Sequence, residues 1–199
     1  QCCGGYIKIQ LTKYNNGIDI IEKNNLKNEI INQNQNLYIF GAGHVGSALM
    51  NKLEGVGFNV FVVDSRENFL WKIKINSINK VLAKNPEIII NNAPPKSYYL
   101  IMTHSHQIDL SICSMLLKNN NYSFIGLIGS KTKRMRFLKR LKELGHSERQ
   151  INKIECPIGI NEITGKEPDV IAISIIARLL QYKSLTNYKK LNYIKLVKG

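Results

Sequence analysis

Cysteines are few, acids are scarce, and no long apolar run occurs in this chain of 199 residues. The four cysteines, Cys2, Cys3, Cys113 and Cys156, lack any C-x-x-C spacing. That pattern excludes a disulfide framework and a structural zinc site, and a reducing cytoplasm is the simplest location. No apolar stretch approaches the ~18 residues of a spanning helix, and no signal peptide is visible, so no membrane partner is expected. With 44% hydrophobic residues the chain can still bury a core without staples.

Acids number 14 against 28 lysines and arginines, for a net charge of +14. Such a balance suits nucleic acid, a membrane surface or an acidic ligand. A nucleic-acid reader needs clustered arginine with interleaved aromatics. Here the charge is mostly lysine, spread along the chain beside many asparagines, a mixture that AT-rich coding also produces. No nucleic-acid partner is expected.

What is present is concentrated at one place. The apolar segment Leu37-Tyr38-Ile39-Phe40 runs directly into Gly41-Ala42-Gly43-His44-Val45-Gly46. In such a G-x-G-x-x-G turn, Gly41 permits a sharp reversal, Gly43 admits a ligand phosphate to the backbone, and Gly46 allows close helix–strand packing. The helix that follows presents its N-terminal N–H groups to an anion. A second strand over residues 59–63 ends in Asp64, close to the ~20-residue offset at which an acid meets ribose hydroxyls in dinucleotide sites.

The remaining pattern alternates strand and helix. Helices are expected over 44–54, 108–117, 131–144 and 169–182, the last started by Pro168. In the third of these, Met135, Leu138 and Leu141 are expected to share the buried face. Strands are expected over 87–91, 98–103, 123–128 and 154–158. Residues 65–95 are otherwise hard to read. This order predicts an α/β fold, a Rossmann-like, doubly wound, mostly parallel sheet. The Rossmann-like domain is expected over residues 36–183, with a basic tail over 184–199. Before it, residues 1–35 combine a strand-like alternation over 6–11, a turn at Asn15-Asn16-Gly17, a return segment at 18–20, and a polar linker with a weak helical stretch over 26–31.

In such sheets ligands sit beyond the carboxyl ends of the strands. Three loops therefore gather the candidates. His104, His106 and Asp109 can serve as metal ligands, proton-transfer groups or hydrogen-bonding contacts to a polar ligand, or one histidine can simply cap a helix. No third histidine or thiolate is paired with them, and no metal site is expected. Gly129 and Ser130 before a basic helix start resemble an anion cradle, with Lys133 in reach; Lys133 and Arg136 equally fit the solvated face of an amphipathic helix, and from Lys139 onward, with Arg140 and Lys142, the solvated face is the expected reading. Cys2-Cys3-Gly4-Gly5 can offer a soft sulfur ligand or a nucleophile, or be incidental at a chain end. Cys113, among Ile112, Met115 and Leu116, is expected in the core.

Together these motifs resemble the xanthine dehydrogenase accessory proteins, the XdhC/CoxI group. The resemblance rests on Cys2-Cys3-Gly4-Gly5, the glycine loop, Thr103-His104-Ser105-His106 with Asp109, Gly126-Leu127-Ile128-Gly129-Ser130 with Thr132-Lys133-Arg134, and Cys156-Pro157-Ile158-Gly159 with Gly165-Lys166-Glu167-Pro168. It implies that residues 1–35 are the remnant of an N-terminal domain, in keeping with a first residue that is Gln1. It also implies a chaperone, not a catalyst, that binds the molybdenum cofactor (molybdopterin), assists its sulfuration and delivers it to xanthine dehydrogenase or a related molybdenum hydroxylase. A cysteine desulfurase and a second copy of the chain are further implied partners. The implied cofactor contacts are Cys2, Cys3, Gly41, Gly43, His44, Gly46, Asp64, His104, His106, Asp109, Gly129, Ser130 and Lys133, with no catalytic residue assigned. The competing reading is an NAD(P)-dependent oxidoreductase or a nucleotide-binding sensor, prompted by the glycine loop and Asp64. No clear proton-relay pair accompanies it.

Overall fold

A computed structural model describes residues 35–197, with side chains to residue 186. The strand, turn and linker expected before residue 35, and Cys2 and Cys3 with them, lie outside the described residues. Six parallel strands, β1 (Gln35–Phe40), β2 (Phe58–Asp64), β3 (Ile78–Leu82), β4 (Ser97–Ile101), β5 (Tyr122–Leu127) and β6 (Ile154–Glu155), lie in the order β3-β2-β1-β4-β5-β6. The helices are α1 (His44–Met50), α2 (Glu67–Trp71), α3 (Glu87–Asn92), α4 (His106–Asn119), α5 (Lys131–Glu143), α6 (Glu148–Ile151) and α7 (Pro168–Val197). The fold is the expected Rossmann-like α/β sheet.

Alternation along the central strands builds two cores at once. Leu37 and Ile39 of β1 and Tyr98 and Leu100 of β4 point to one face, under α1, α2 and α7 through Leu49, Leu70, Ile175 and Leu179. Tyr38, Phe40, Tyr99 and Ile101 point to the other, under α4 and α5 through Ile112, Cys113, Leu116, Phe137 and Leu141. A strand covered on both faces must be apolar at every position, and this is why β1 and β4 read as unbroken hydrophobic runs. Strand order reverses between β1 and β4, so the loops after these two strands diverge and leave a crevice.

Two expectations are corrected. Residues 87–91 form the helix α3, not a strand. Pro86 already has helical dihedrals (φ −62°, ψ −19°), Glu87 occupies the first turn, and only Ile90 is buried while Ile88 is 56% exposed. A short apolar run carries no period that separates strand from helix, and β4 takes the sheet position beside β1. In α5 the buried stripe is Phe137 and Leu141, with Leu138 partly buried, whereas Met135 is 64% exposed. The face that points inward carries Arg134, whose guanidinium donates to the carbonyls of Ile154 and Cys156 at 3.4 and 2.9 Å.

Boundaries moved elsewhere. Helix α1 stops at Met50, ahead of Gly55 and Gly57, which take φ of +75° and +80°. Strand β6 keeps two residues, ending before Cys156-Pro157. Helix α7 continues to Val197, past the expected end at residue 182. Strand β3 and helix α2 went unread because β3 is an edge strand whose buried apolar content is Ile78 alone.

One buried polar pair sets a pH dependence. His146 is 6% exposed, and its Nε2 lies 2.7 Å from the Ser114 hydroxyl. Burial, and then the nearby charge of Lys118, hold the His146 pKa below its ordinary value. The unfolded chain therefore binds this proton more readily, so the contribution is complete above about pH 6.5 and shrinks as pH falls through that value toward the folded pKa. Urea unfolding at pH 7.5 and 5.5 should show lower stability at the acidic value, and His146→Gln should flatten the difference. An unchanged pH slope in the variant would place its origin elsewhere.

Candidate functional site

The glycines of the first loop divide their tasks by what surrounds them. Gly41 has φ +114°, and a Cβ there would sit 2.3 Å from the Met102 carbonyl oxygen. A Cβ on Gly46 would lie 2.2 Å from the Gly41 carbonyl oxygen. Gly41 is therefore required for the loop to pass the chain after β4, and Gly46 for α1 to pack on the loop. Gly43 differs: nothing lies within 4 Å of its Cβ position, and its backbone is extended (φ −69°, ψ −165°). Chain geometry does not demand a glycine there, so the open space is left for something outside the fold. His44 beside it is exposed.

Asp64 is 5% exposed and faces this loop. Its Oδ2 accepts from Ala42 N at 2.8 Å and Arg66 Nη2 at 2.9 Å, and its Oδ1 accepts from Arg66 N and Arg66 Nε, both at 2.9 Å. Burial raises the carboxyl pKa, but the Arg66 side chain, the two backbone N–H groups and the guanidinium charge outweigh it and hold the group below its usual range. A carboxylate has about four acceptor positions, and all are filled. Arg66 then carries its guanidinium over the Phe69 ring at 3.9 Å. This arginine escaped the sequence reading, although Asp-Ser-Arg at a strand end is a visible signal.

Asp109, by contrast, works from beneath the surface. It is fully buried, accepts from Thr103 N at 3.0 Å through Oδ1, and takes the Lys133 ammonium at 2.6 Å on Oδ2. The Thr103 hydroxyl lies 2.7 Å from the same Oδ1. Asp109 therefore ties the loop after β4 to the start of α5. Gly129 makes this possible, since a Cβ there would lie 2.5 Å from Lys133 Cδ, on the path of the lysine stem. Ser105 and Ser130 cap α4 and α5, accepting from Ile108 N at 3.5 Å and Lys133 N at 3.2 Å. His104 and His106 are on the rim, and His106 meets the Phe137 ring edge-on.

The described candidates thus fall into two groups that meet at His104. On the β4–β5 side is an open cleft of about 400 Å³, bounded by Thr103, His104, His106, Ser130, Lys133 and Arg136. On the β1–β2 side, Gly41, Asp64, Pro86 and Ile108 line a small cavity of about 10 Å³, room for one water at most. A larger hollow of about 700 Å³ lies at the β6 edge, away from the glycine loop. Two of its cations serve the fold, Arg178 paired with Glu155 and Arg134 with backbone carbonyls. Cys113 and Cys156 are buried thiols whose pKa values burial pushes up, so neither is a poised nucleophile. Among the described residues no helix is long and apolar enough to cross a membrane.

Comparison with known proteins gives a consistent result. The model of the XdhC Rossmann domain matches residues 37–179. The uncharacterized protein YqeB of Escherichia coli is 30% identical over 151 residues, spanning 74% of this chain and 27% of that protein. A probable xanthine dehydrogenase subunit of Bacillus subtilis is 27% identical over 147 residues, 73% of this chain and 42% of that protein. A crystal structure of a xanthine dehydrogenase from Bacillus halodurans superposes with a TM-score of 0.64 at 30% identity, covering 75% of this chain and 43% of that one. The chain therefore spans less than half the length of each of these relatives.

Proposed function

Because this chain belongs to the XdhC Rossmann-domain family, we propose that it binds the molybdenum cofactor and assists its sulfuration and insertion into xanthine dehydrogenase or a related molybdenum hydroxylase. The supporting observation is the cleft after β4 and β5. Its rim offers His104, His106, the Ser130 hydroxyl and Arg136, while the Lys133–Asp109 pair holds both loops in place. Molybdopterin carries a phosphate, a polar pterin and a dithiolene. The donors around this cleft suit the first two, and Cys2 and Cys3, outside the described residues, are the soft groups for the third. The cofactor supplies the redox chemistry of the receiving enzyme. The present residues bind, orient and shield it, a carrier's role, with a cysteine desulfurase as sulfur source and a second copy as a further partner.

Gly43 favours a second reading, a nucleotide sensor or NAD(P)-dependent oxidoreductase, because its open face suits a phosphate. Against a bound ribose stand the filled acceptors of Asp64.

The test is anaerobic purification of the full-length protein from a host that makes the cofactor, with pterin quantified by fluorescence after oxidation. Pterin retained in a substantial molar fraction is expected. Absence of pterin, together with saturable NADH or NADPH binding in a parallel titration, would replace this reading with the second.

A further inference from the structure

Helix α5 is charged beyond what its place in the fold requires. Of its 13 residues, KTKRMRFLKRLKE, seven are lysine or arginine and one is glutamate. Three of the cations are committed internally: Lys133 to Asp109, Arg134 to backbone carbonyls, and Lys142 to Glu148. Lys131, Arg136, Lys139 and Arg140 are exposed and make no salt bridge among the described residues. Arg136 and Arg140 stand one turn apart, a like-charge spacing that destabilises an isolated helix. On this face Glu143 is the one acid set against Arg136, Lys139 and Arg140, so the positive charge is left uncompensated by the helix itself.

Of Lys131, Arg136, Lys139 and Arg140, the last three line a groove of about 490 Å³ with His106, Phe137 and Glu143. Arg136, His106 and Phe137 also border the candidate cleft, so groove and cleft share a wall. We infer that the Arg136–Lys139–Arg140 face is a docking surface for an acidic protein segment, seated beside the cleft mouth. The inference rests on the cofactor reading for its purpose: the docked protein is the one that receives the ligand from the adjoining cleft. The uncompensated charge of the groove is independent of that reading. Complementary charge around such a groove steers encounter and fixes register, and its effect falls with ionic strength. Nucleic acid is the poorer occupant because the phenyl ring in the groove, Phe137, is 6% exposed and presents no stacking platform.

The test uses the full-length protein and a fluorescein-labelled 12-residue polyglutamate peptide, followed by anisotropy at 50 and 300 mM salt. Wild type should bind at low salt and weaken at least tenfold at high salt. Lys139→Glu with Arg140→Glu should weaken low-salt binding at least tenfold, and the Gln pair at these positions should give an intermediate loss. The control Lys80→Glu with Lys84→Glu makes the same charge change near the opposite sheet edge, and should alter affinity less than twofold. Equal losses in test and control variants, or no peptide binding by wild type, would overturn the docking surface. So would a 12-nucleotide single strand that binds tighter than the peptide and is lost on the same reversal. Pterin content, measured on each sample, separates the two readings. Wild type without pterin but with site-specific peptide binding would end the cofactor reading and leave the docking surface standing.

Discussion

Gly46→Ala should destabilise the domain by about 3 kcal/mol, while Gly43→Ala, three residues earlier, should cost less than about 1 kcal/mol. The contrast follows from contact alone. The new methyl at position 46 would sit 2.2 Å from the Gly41 carbonyl oxygen, a backbone atom that can yield only by opening the loop. At position 43 the methyl meets nothing within 4 Å, and the extended backbone accommodates any residue. Urea denaturation of both variants, with matched circular dichroism, measures the difference. Gly43→Val extends the test to function. It should retain the fold and lose binding of any ligand whose phosphate uses this loop, because the side chain occupies the space that the phosphate would share with the backbone. A Gly43→Val protein that binds pterin or nucleotide normally would remove this loop from the site.

Asp109→Ala should be the most damaging side-chain change at the site, at about 3 kcal/mol. The removed carboxylate is fully buried, and two groups depend on it, the Lys133 ammonium and the Thr103 N–H, while the Thr103 hydroxyl keeps the Ser105 carbonyl as an acceptor at 2.9 Å. Lys133 is 11% exposed beside the cleft and can turn its charge toward water, which keeps the cost at the lower end for a broken buried pair. The Thr103 N–H has no such escape. Asp109→Asn retains an acceptor for Thr103 and should recover part of the loss, and Lys133→Met in the Asp109→Ala background should recover another part by removing the orphaned charge. Thermal unfolding of wild type, Asp109→Ala, Lys133→Met and the double variant forms the cycle, with Asp109→Asn measured beside it. A loss under about 1 kcal/mol in Asp109→Ala would show that the two loops are held by other contacts.

These effects differ in how far they could be anticipated. The role of Gly46 is local: strand, turn and helix are consecutive, and the spacing of three glycines states the geometry without reference to the rest of the chain. The burial of Asp109 is not local. In sequence it is an acid shortly after a pair of histidines, and it reads as a ligand. Only the packing of α4 against α5 puts Lys133 on it and seals it from solvent. Asp64 was legible as the acid at the end of β2. That its acceptors are taken by Arg66 and Ala42 depends on side-chain rotamers and on the approach of β1 to β2.

Two layers can therefore be distinguished. Periodicity and turn chemistry in the chain were sufficient for the β1–loop–α1 unit, the parallel sheet and the family motifs, because each is set by residues close in sequence. Tertiary contact selected the helix at residues 87–92, turned Met135 outward and Arg134 inward, and opened the cleft beside His104 toward β5. In those cases several local conformations are nearly equal in energy, and burial against distant elements selects among them.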